Sequence, residues 1–451
     1  MSQPPDAAGP DGPAAVPHAH AHGLAEHDLD VDPHTRRLLS RVAVVLAVAT
    51  ALGAILLWPR ESPSERLTLT GLTGTFYDAA ILEIDVDRPC AGPGLADEEP
   101  LFGDDQGGAA LTCPVAELEV LQGPDRGSRL QLDLPGGLQN AGFEAGDKVV
   151  LSYTEQAQPG FEYAFADRQR KPVLFWFAVA FALVVLALGR LRGLAALLGL
   201  GASLVVLLSF ILPAILDGRS PVSVALVGSA AIAFLALYLA HGPGPATTVA
   251  LLGTLCSLAL TAVLALAAVS LAGLTGFASE EAMIVQLAES RIDLSGLVLA
   301  GVVIGALGAV DDMTVTQVAA VSELHRANPT MGRLPLYAAA LRIGRDHVAS
   351  TVNTLALAYA GASIPVLLLF LLSRQSLGTV ANGEVMATEI IRTLAGSIGL
   401  VSSVPITTWL AVRVIPTGPA GAAASAPAAP RWRKRAGKAA DTADAWPGDD
   451  E

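Results

Sequence analysis

Ionisable side chains are scarce in this chain, and several gather in one region. Asp311 and Asp312 close an apolar run. A helix continued past them would set Asp312, Thr316, Ala320 and Glu323 on one stripe before Asn328-Pro329 stops it. Further on, Gly344-Arg345-Asp346-His347 leads into another apolar run, where Asp346, Ser350 and Asn353 share one face and His347, Thr351 and Thr354 the next. Carboxylates, an imidazole and hydroxyls drawn toward a bilayer are what a cation or proton relay needs, and ionisable groups at membrane depth commonly mark such paths. Asp311, Asp312, Thr316, Glu323, Arg345, Asp346, His347, Ser350 and Asn353 are therefore the candidate lining of a polar vestibule. The competing reading is structural. Asp, Arg and His at a helix end also cap termini and bridge helices, and Ser, Thr and Asn within a span also pack it against neighbours.

The elements that must position these residues follow from composition. Of 451 residues, 52% are apolar and 16% are charged, with a net charge of -14; soluble domains carry about 25% charged residues. This excludes disorder, a collagen-like chain and a nucleic-acid binder. The apolar residues fall into eight uncharged runs, at about 42–58, 172–189, 193–216, 221–241, 246–272, 294–310, 348–372 and 393–412, each of a length that reads as a bilayer span. The fold expected is an α-helical polytopic membrane protein of about eight transmembrane helices, with one small extracytoplasmic β-rich domain, barrel or OB-like.

Basic residues set the orientation. Arg36, Arg37 and Arg41 precede the first run, Arg190 and Arg192 follow the second, Arg326, Arg333, Arg342 and Arg345 lie between the sixth and seventh, and Arg413 with Arg431 to Arg435 follows the last. By the positive-inside rule all of these are cytoplasmic, as are both termini, and the location expected is a plasma membrane. The organisation is then a disordered His-rich tail (1–41), an anchor (42–58), an exported β-rich domain (59–171), a seven-helix bundle (172–415) with a cytoplasmic loop at 311–347, and a disordered tail (416–451).

Residues 59–171 hold 20 acidic against 9 basic side chains, so most of the net negative charge is exported. Alternation in 66–71, 80–87, 116–120, 129–134 and 148–153 reads as five or more short antiparallel strands. Cys90 and Cys113 flank a Gly- and acid-rich loop in this oxidising compartment, and a disulfide between them is expected. The acidic loop 97–105 lacks the ligand pattern of a calcium loop and reads as solvated. Cys256 reads as a small packing residue within a span. In the N-tail, His18, His20, His22, His27 and His34 either collect zinc, nickel or copper weakly or are low-complexity drift. The charged stretch from Ser279 to Arg291 reads as a linker or a surface helix.

Gly301, Gly305 and Gly308 in the sixth run offer close helix packing. The string Gly305-Ala306-Leu307-Gly308-Ala309-Val310-Asp311-Asp312-Met313-Thr314-Val315-Thr316-Gln317, then Ala327-Asn328-Pro329, Gly344-Arg345-Asp346-His347, Ser350 to Leu355 and Ala358-Tyr359-Ala360-Gly361-Ala362, resembles the YibE/YibF-like family of bacterial membrane proteins. The likeness runs from about residue 66 to 415. It implies a bacterial membrane protein with an anchored extracytoplasmic β-rich segment followed by a multi-span bundle and a transport-related role, and it transfers no catalytic role to any residue. The residues themselves argue against an enzyme. Gly308-Ala309-Val310-Asp311 misspaces the motif of an intramembrane aspartyl protease, Val315 stands where a prenyl-transferase would need a third Asp, and no P-loop, Gly-x-Ser-x-Gly or His-Glu-x-x-His occurs.

The expectation is a permease-like protein for a small solute or ion, with the lipid bilayer and that solute as partners and no cofactor or nucleic acid. The alternative is a non-transporting scaffold or sensor whose exported domain binds an envelope partner.

Overall fold

The computed structural model describes residues 29, 31–60, 75–85, 115–133, 142–155, 157, 162–278, 280–288, 291–372 and 375–416. Cys90, Cys113, the acidic loop 97–105, His18, His20, His22, His27, the strand expected at 66–71 and the C-tail basic cluster lie outside them. The chain divides into two units, residues 60–197 and the rest.

In the first unit, β1 (Thr75–Asp85), β2 (Val115–Val120), β3 (Arg129–Asp133), β4 (Lys148–Tyr153) and β5 (Tyr163–Arg168) form one antiparallel sheet in the order β3-β2-β1-β4-β5. Strict alternation puts Ala79 and Ile81, Ala116, Leu118 and Val120, and Val149 and Leu151 on one buried face. Four strands fall where alternation predicts them. β5 was missed because Tyr163-Ala164-Phe165-Ala166-Asp167-Arg168 has too few β-branched residues to announce itself. Its Tyr163 hydroxyl donates to Asp125 Oδ2 at 2.9 Å, in the turn between β2 and β3, and burial together with that acceptor raises the hydroxyl above the usual phenol range. Gly123 in the same turn has φ +102°, with the Tyr77 ring packed against it, a position closed to any larger side chain.

The same unit carries most of α2 (Lys171–Val206). This helix breaks at Arg190, whose φ of 51° and ψ of −126° are non-helical, where the sequence predicts a turn between two spans.

The second unit is helical. α1 (Pro33–Leu57) starts nine residues before the apolar run it contains, because Asp32 caps it and accepts the His34 and Thr35 N–H groups at 2.9 Å each. After α2 come a π-helical turn at Leu207–Ile211 and α3 (Leu212–Leu216), then α4 (Pro221–His241), α5 (Pro245–Ala272), the short α6 (Glu280–Ala288) and α7 (Leu294–Ala327). Next are α8 (Arg333–Ala362), α9 (Ile364–Leu372), α10 (Leu377–Asn382) and α11 (Glu384–Val414).

By length and apolarity six of these helices can cross a membrane, or seven if the bent α8–α9 pair is one span. The seventh expected span, 348–372, is thus not one straight helix. It bends by 61° at Ser363, where Pro365 removes an N–H and disfavours helical geometry at Ile364.

α5, α7 and α11 pack on one another at the centre, with α4 against α7 and α8 against both α7 and α11. Close approach is by interlock. A Cβ on Gly253 would collide with Thr407 Oγ1, and one on Gly399 with Thr261 Oγ1. At the other end of these helices the Glu384 carboxylate accepts the Thr275 and Gly276 N–H groups at 2.6 and 2.7 Å, tying the loop after α5 to the start of α11. Cys256 lies on the exposed face of α5, so it is not the packing residue expected.

Two predictions follow from this packing and from the sheet. Gly399→Leu should destabilise the bundle by about 1–3 kcal/mol through overpacking, and Thr261→Ala in the same chain should recover part of the loss; thermal unfolding of the purified protein reads both. In the sheet unit Asp147 accepts the Glu144 N–H at 3.1 Å and meets Arg168 at 2.6 Å. The backbone bond, opposed by burial and aided by Arg168, holds its carboxyl below the usual range. A depressed carboxylate stabilises the fold above its unfolded pKa of about 3.9, and that contribution is lost as pH falls through the folded value. Tyrosine fluorescence should therefore show the sheet weakening as pH falls from about 4, with a shallower dependence in Asp147→Asn.

Candidate functional site

α7 runs unbroken through Asp311 and Asp312 to Ala327, and Asn328 caps its end, as the sequence predicts. The two aspartates meet different surroundings. Asp311 is half-buried against α5, where Thr254 Oγ1 donates to its Oδ1 over a long 3.4 Å. Thr254 Oγ1 also lies 2.8 Å from Thr314 Oγ1, and Thr314 in turn donates to the Asp311 carbonyl at 2.9 Å. Both threonines are 0% exposed. One carboxylate thus sits beside a pair of buried hydroxyls. Asp312, one position round the helix, is exposed, and its carbonyl accepts the Thr316 hydroxyl at 2.8 Å. Glu323 pairs with Arg326 at 3.2 Å.

One turn beyond Thr314, Gln317 spans three helices. Its Nε2 donates to the Ala340 carbonyl of α8 at 2.9 Å and to Thr408 Oγ1 of α11 at 2.8 Å. Gly344 makes room for it, since a Cβ there would lie 2.7 Å from Gln317 Oε1. The seam continues through Ser257 and Thr261 of α5 and Ser403 and Thr407 of α11, all 0% exposed. Most of these hydroxyls donate to the carbonyl three or four residues earlier, as Ser257, Thr261, Ser403 and Thr408 do. Thr407 Oγ1 is buried with no hydrogen-bond partner among the described residues.

The second half of the expected vestibule lies elsewhere. α8 buries Leu336, Ala340 and Gly344 against its neighbours, which turns Arg345, Asp346, His347, Ser350 and Asn353 outward. No hydrogen bond or ion pair among the described residues joins Asp346 or His347 to Asp311 or Asp312. The glycines of α7 differ in what they face. Gly301 and Gly305 admit polar side chains, Arg392 of α11 and Tyr359 of α8, rather than another backbone, and a Cβ on Gly308 would meet nothing within 4 Å.

Sequence reading therefore found Asp311 but missed its partners. Thr254 and the rest of the seam do carry a signal, as hydroxyls at three- and four-residue spacing inside apolar runs: Thr254, Ser257 and Thr261 in α5, Ser403 and Thr407 in α11. It was passed over because such residues usually serve as packing.

A profile of the YibE/F-like protein family matches residues 177–417, more than half of the chain. The chain belongs to the YibE/F-like family. The match covers the helical bundle and stops short of the β-sheet, which the sequence resemblance had included. No curated protein and no solved structure is detectably similar to the chain.

Replacing Gln317 with Leu leaves the Ala340 carbonyl and Thr408 without their buried donor. A loss of about 1–3 kcal/mol of stability is expected in thermal unfolding, against little change for Thr316→Val, whose hydroxyl meets only its own helix.

Proposed function

We propose that this YibE/F-like protein is a permease-like transporter of a small cation, with Asp311 as the residue that binds it. The observation that carries the reading is the Asp311, Thr254 and Thr314 set: a membrane-span carboxylate flanked by buried hydroxyl oxygens, which supply the hard ligands a cation or proton requires. The hydroxyls of Ser257, Thr261 and Thr407 extend this polar seam along α5 and α11, where the exposed residues of α8 do not.

The fuller architecture supports the same reading. A single helix of 46 residues from Lys171 to Leu216 would be about 69 Å long, more than twice the hydrocarbon thickness, so the break at Arg190 favours two spans and a total of eight. An even count would leave both termini on one side, and the basic residues flanking the spans favour the cytoplasm of a bacterial cell for that side, with the sheet unit exported. The strand order, the approach of β3 to β5 and the bond from Tyr163 to Asp125 favour closure of the sheet into a small OB-like barrel, which would hide its edges.

The test is flux in proteoliposomes with a panel of monovalent and divalent cations and protons. Asp311→Asn should lower the flux at least tenfold, whereas Asp312→Asn and His347→Ala, which lie outside the buried seam, should stay near the parent. No flux from the parent would overturn transport and leave the scaffold or sensor reading, and equal flux from Asp311→Asn would overturn Asp311 as the cation-binding residue.

A further inference from the structure

A second set of ionisable groups, a half-buried ion pair, lies between helices of the bundle and away from Asp311. On α11, Arg392 Nη1 meets Glu389 Oε1 at 2.5 Å, and each side chain is 27% exposed. The pair stands about 7 to 12 Å in from the start of α11, at 1.5 Å per residue, and the neighbouring Gly301 lies about 15 Å along α7 from Asp311. The last apolar run expected from the sequence begins at 393, just past both charges, whereas α11 begins at Glu384.

The two members of the pair face different ways. Arg392 is packed against α7, where a Cβ on Gly301 would lie 3.6 Å from Nη2 and 4.0 Å from Nε, so the missing side chain of that glycine is what admits the guanidinium. Its Nε is buried without a hydrogen-bond partner among the described residues. Glu389, by contrast, lines a cavity of about 310 Å³ between α8, α9 and α11, whose other walls include Tyr359, Ala360, Leu367, Met386 and Leu394. Arg392 is absent from that wall. The cavity therefore presents one formal charge, negative, on an otherwise largely apolar surface that also carries an aromatic ring.

We propose that this cavity is a binding site for a small organic cation: an amine, quaternary or protonated, on a compact apolar body. Its volume is at the lower end of small-molecule sites. Glu389 supplies the counter-charge on the cavity wall, with the Arg392 guanidinium paired to it from the α7 side. Tyr359 offers a ring face of the kind that receives ammonium groups, and the Met and Leu side chains take the apolar body. An anion in the cavity would meet the carboxylate first, because Arg392 is not part of its wall.

The experiment is equilibrium binding of tritiated benzyltrimethylammonium to the full chain in lipid nanodiscs, a readout that stands whether or not the protein transports. Saturable binding is expected. Glu389→Gln should weaken it at least tenfold, and Leu394→Trp, which fills the cavity while leaving the ion pair intact, should abolish it. The uncharged isostere neopentylbenzene and the anion benzenesulfonate should not compete. If Glu389→Gln leaves Arg392 uncompensated and the variant fails to fold, Leu394→Trp and the two competitors decide. Absence of saturable binding, unchanged binding in Leu394→Trp, or competition by benzenesulfonate would overturn the proposal.

Discussion

Helices in a bilayer gain no hydrophobic drive to associate, because lipid tails are as apolar as leucine; close backbone approach, van der Waals contact and interhelical hydrogen bonds must hold them. In this protein the approach depends on two reciprocal fits, Gly253 with Thr407 and Gly399 with Thr261, which bring α5 and α11 together with no room for even one added carbon. Everything that distinguishes the bundle follows from that contact. The hydroxyls that make the fit are polar, so packing α5 against α11 lays down a buried polar seam at the same time. α7 closes over the seam and adds Thr314 and Gln317 to it, and Asp311 at its margin.

The helix α7 has two polar environments as a result. Toward α5 its Asp311 meets the Thr254 and Thr314 hydroxyls, and nearer its start Gly301 and Gly305 receive the Arg392 and Tyr359 side chains. Between them Gly308 leaves open space. A transporter needs polar groups at more than one depth along a protein-lined route, because any lipid-facing polar group would be costly. The exposed residues of α8 satisfy no part of this arrangement, since Leu336, Ala340 and Gly344 claim its inner face.

Much of the architecture could be read from residue order alone, since span length and strand alternation are local signals. Four of the five sheet strands, the continuity of α7 through Asp311 and its stop at Asn328 come from period and capping chemistry. The site was only half legible. Asp311 stood out because a carboxylate in an apolar run is rare. Thr254 did not, because its meaning comes from facing Thr314 across 60 residues of sequence, and pairing of that range leaves no mark within a single helix. The rotation of α8 was equally hidden: His347 and Gly344 lie three residues apart, and only the packing against Gln317 and Val404 determines which of them turns inward. Glu389 and Arg392 lie just before the expected last span, which begins at 393, whereas α11 is helical from Glu384 and carries both.

Carbodiimide labelling of Asp311 in the reconstituted protein, followed by mass spectrometry at fixed pH, bears most directly on whether the seam receives a cation. A carboxyl in a protected apolar setting reacts, and an occupying cation shields it. At least one cation of the panel should slow modification of Asp311 several-fold while leaving the exposed Asp312 unaffected. A labelling rate at Asp311 indifferent to every cation, or identical protection at both aspartates, would contradict a cation site there.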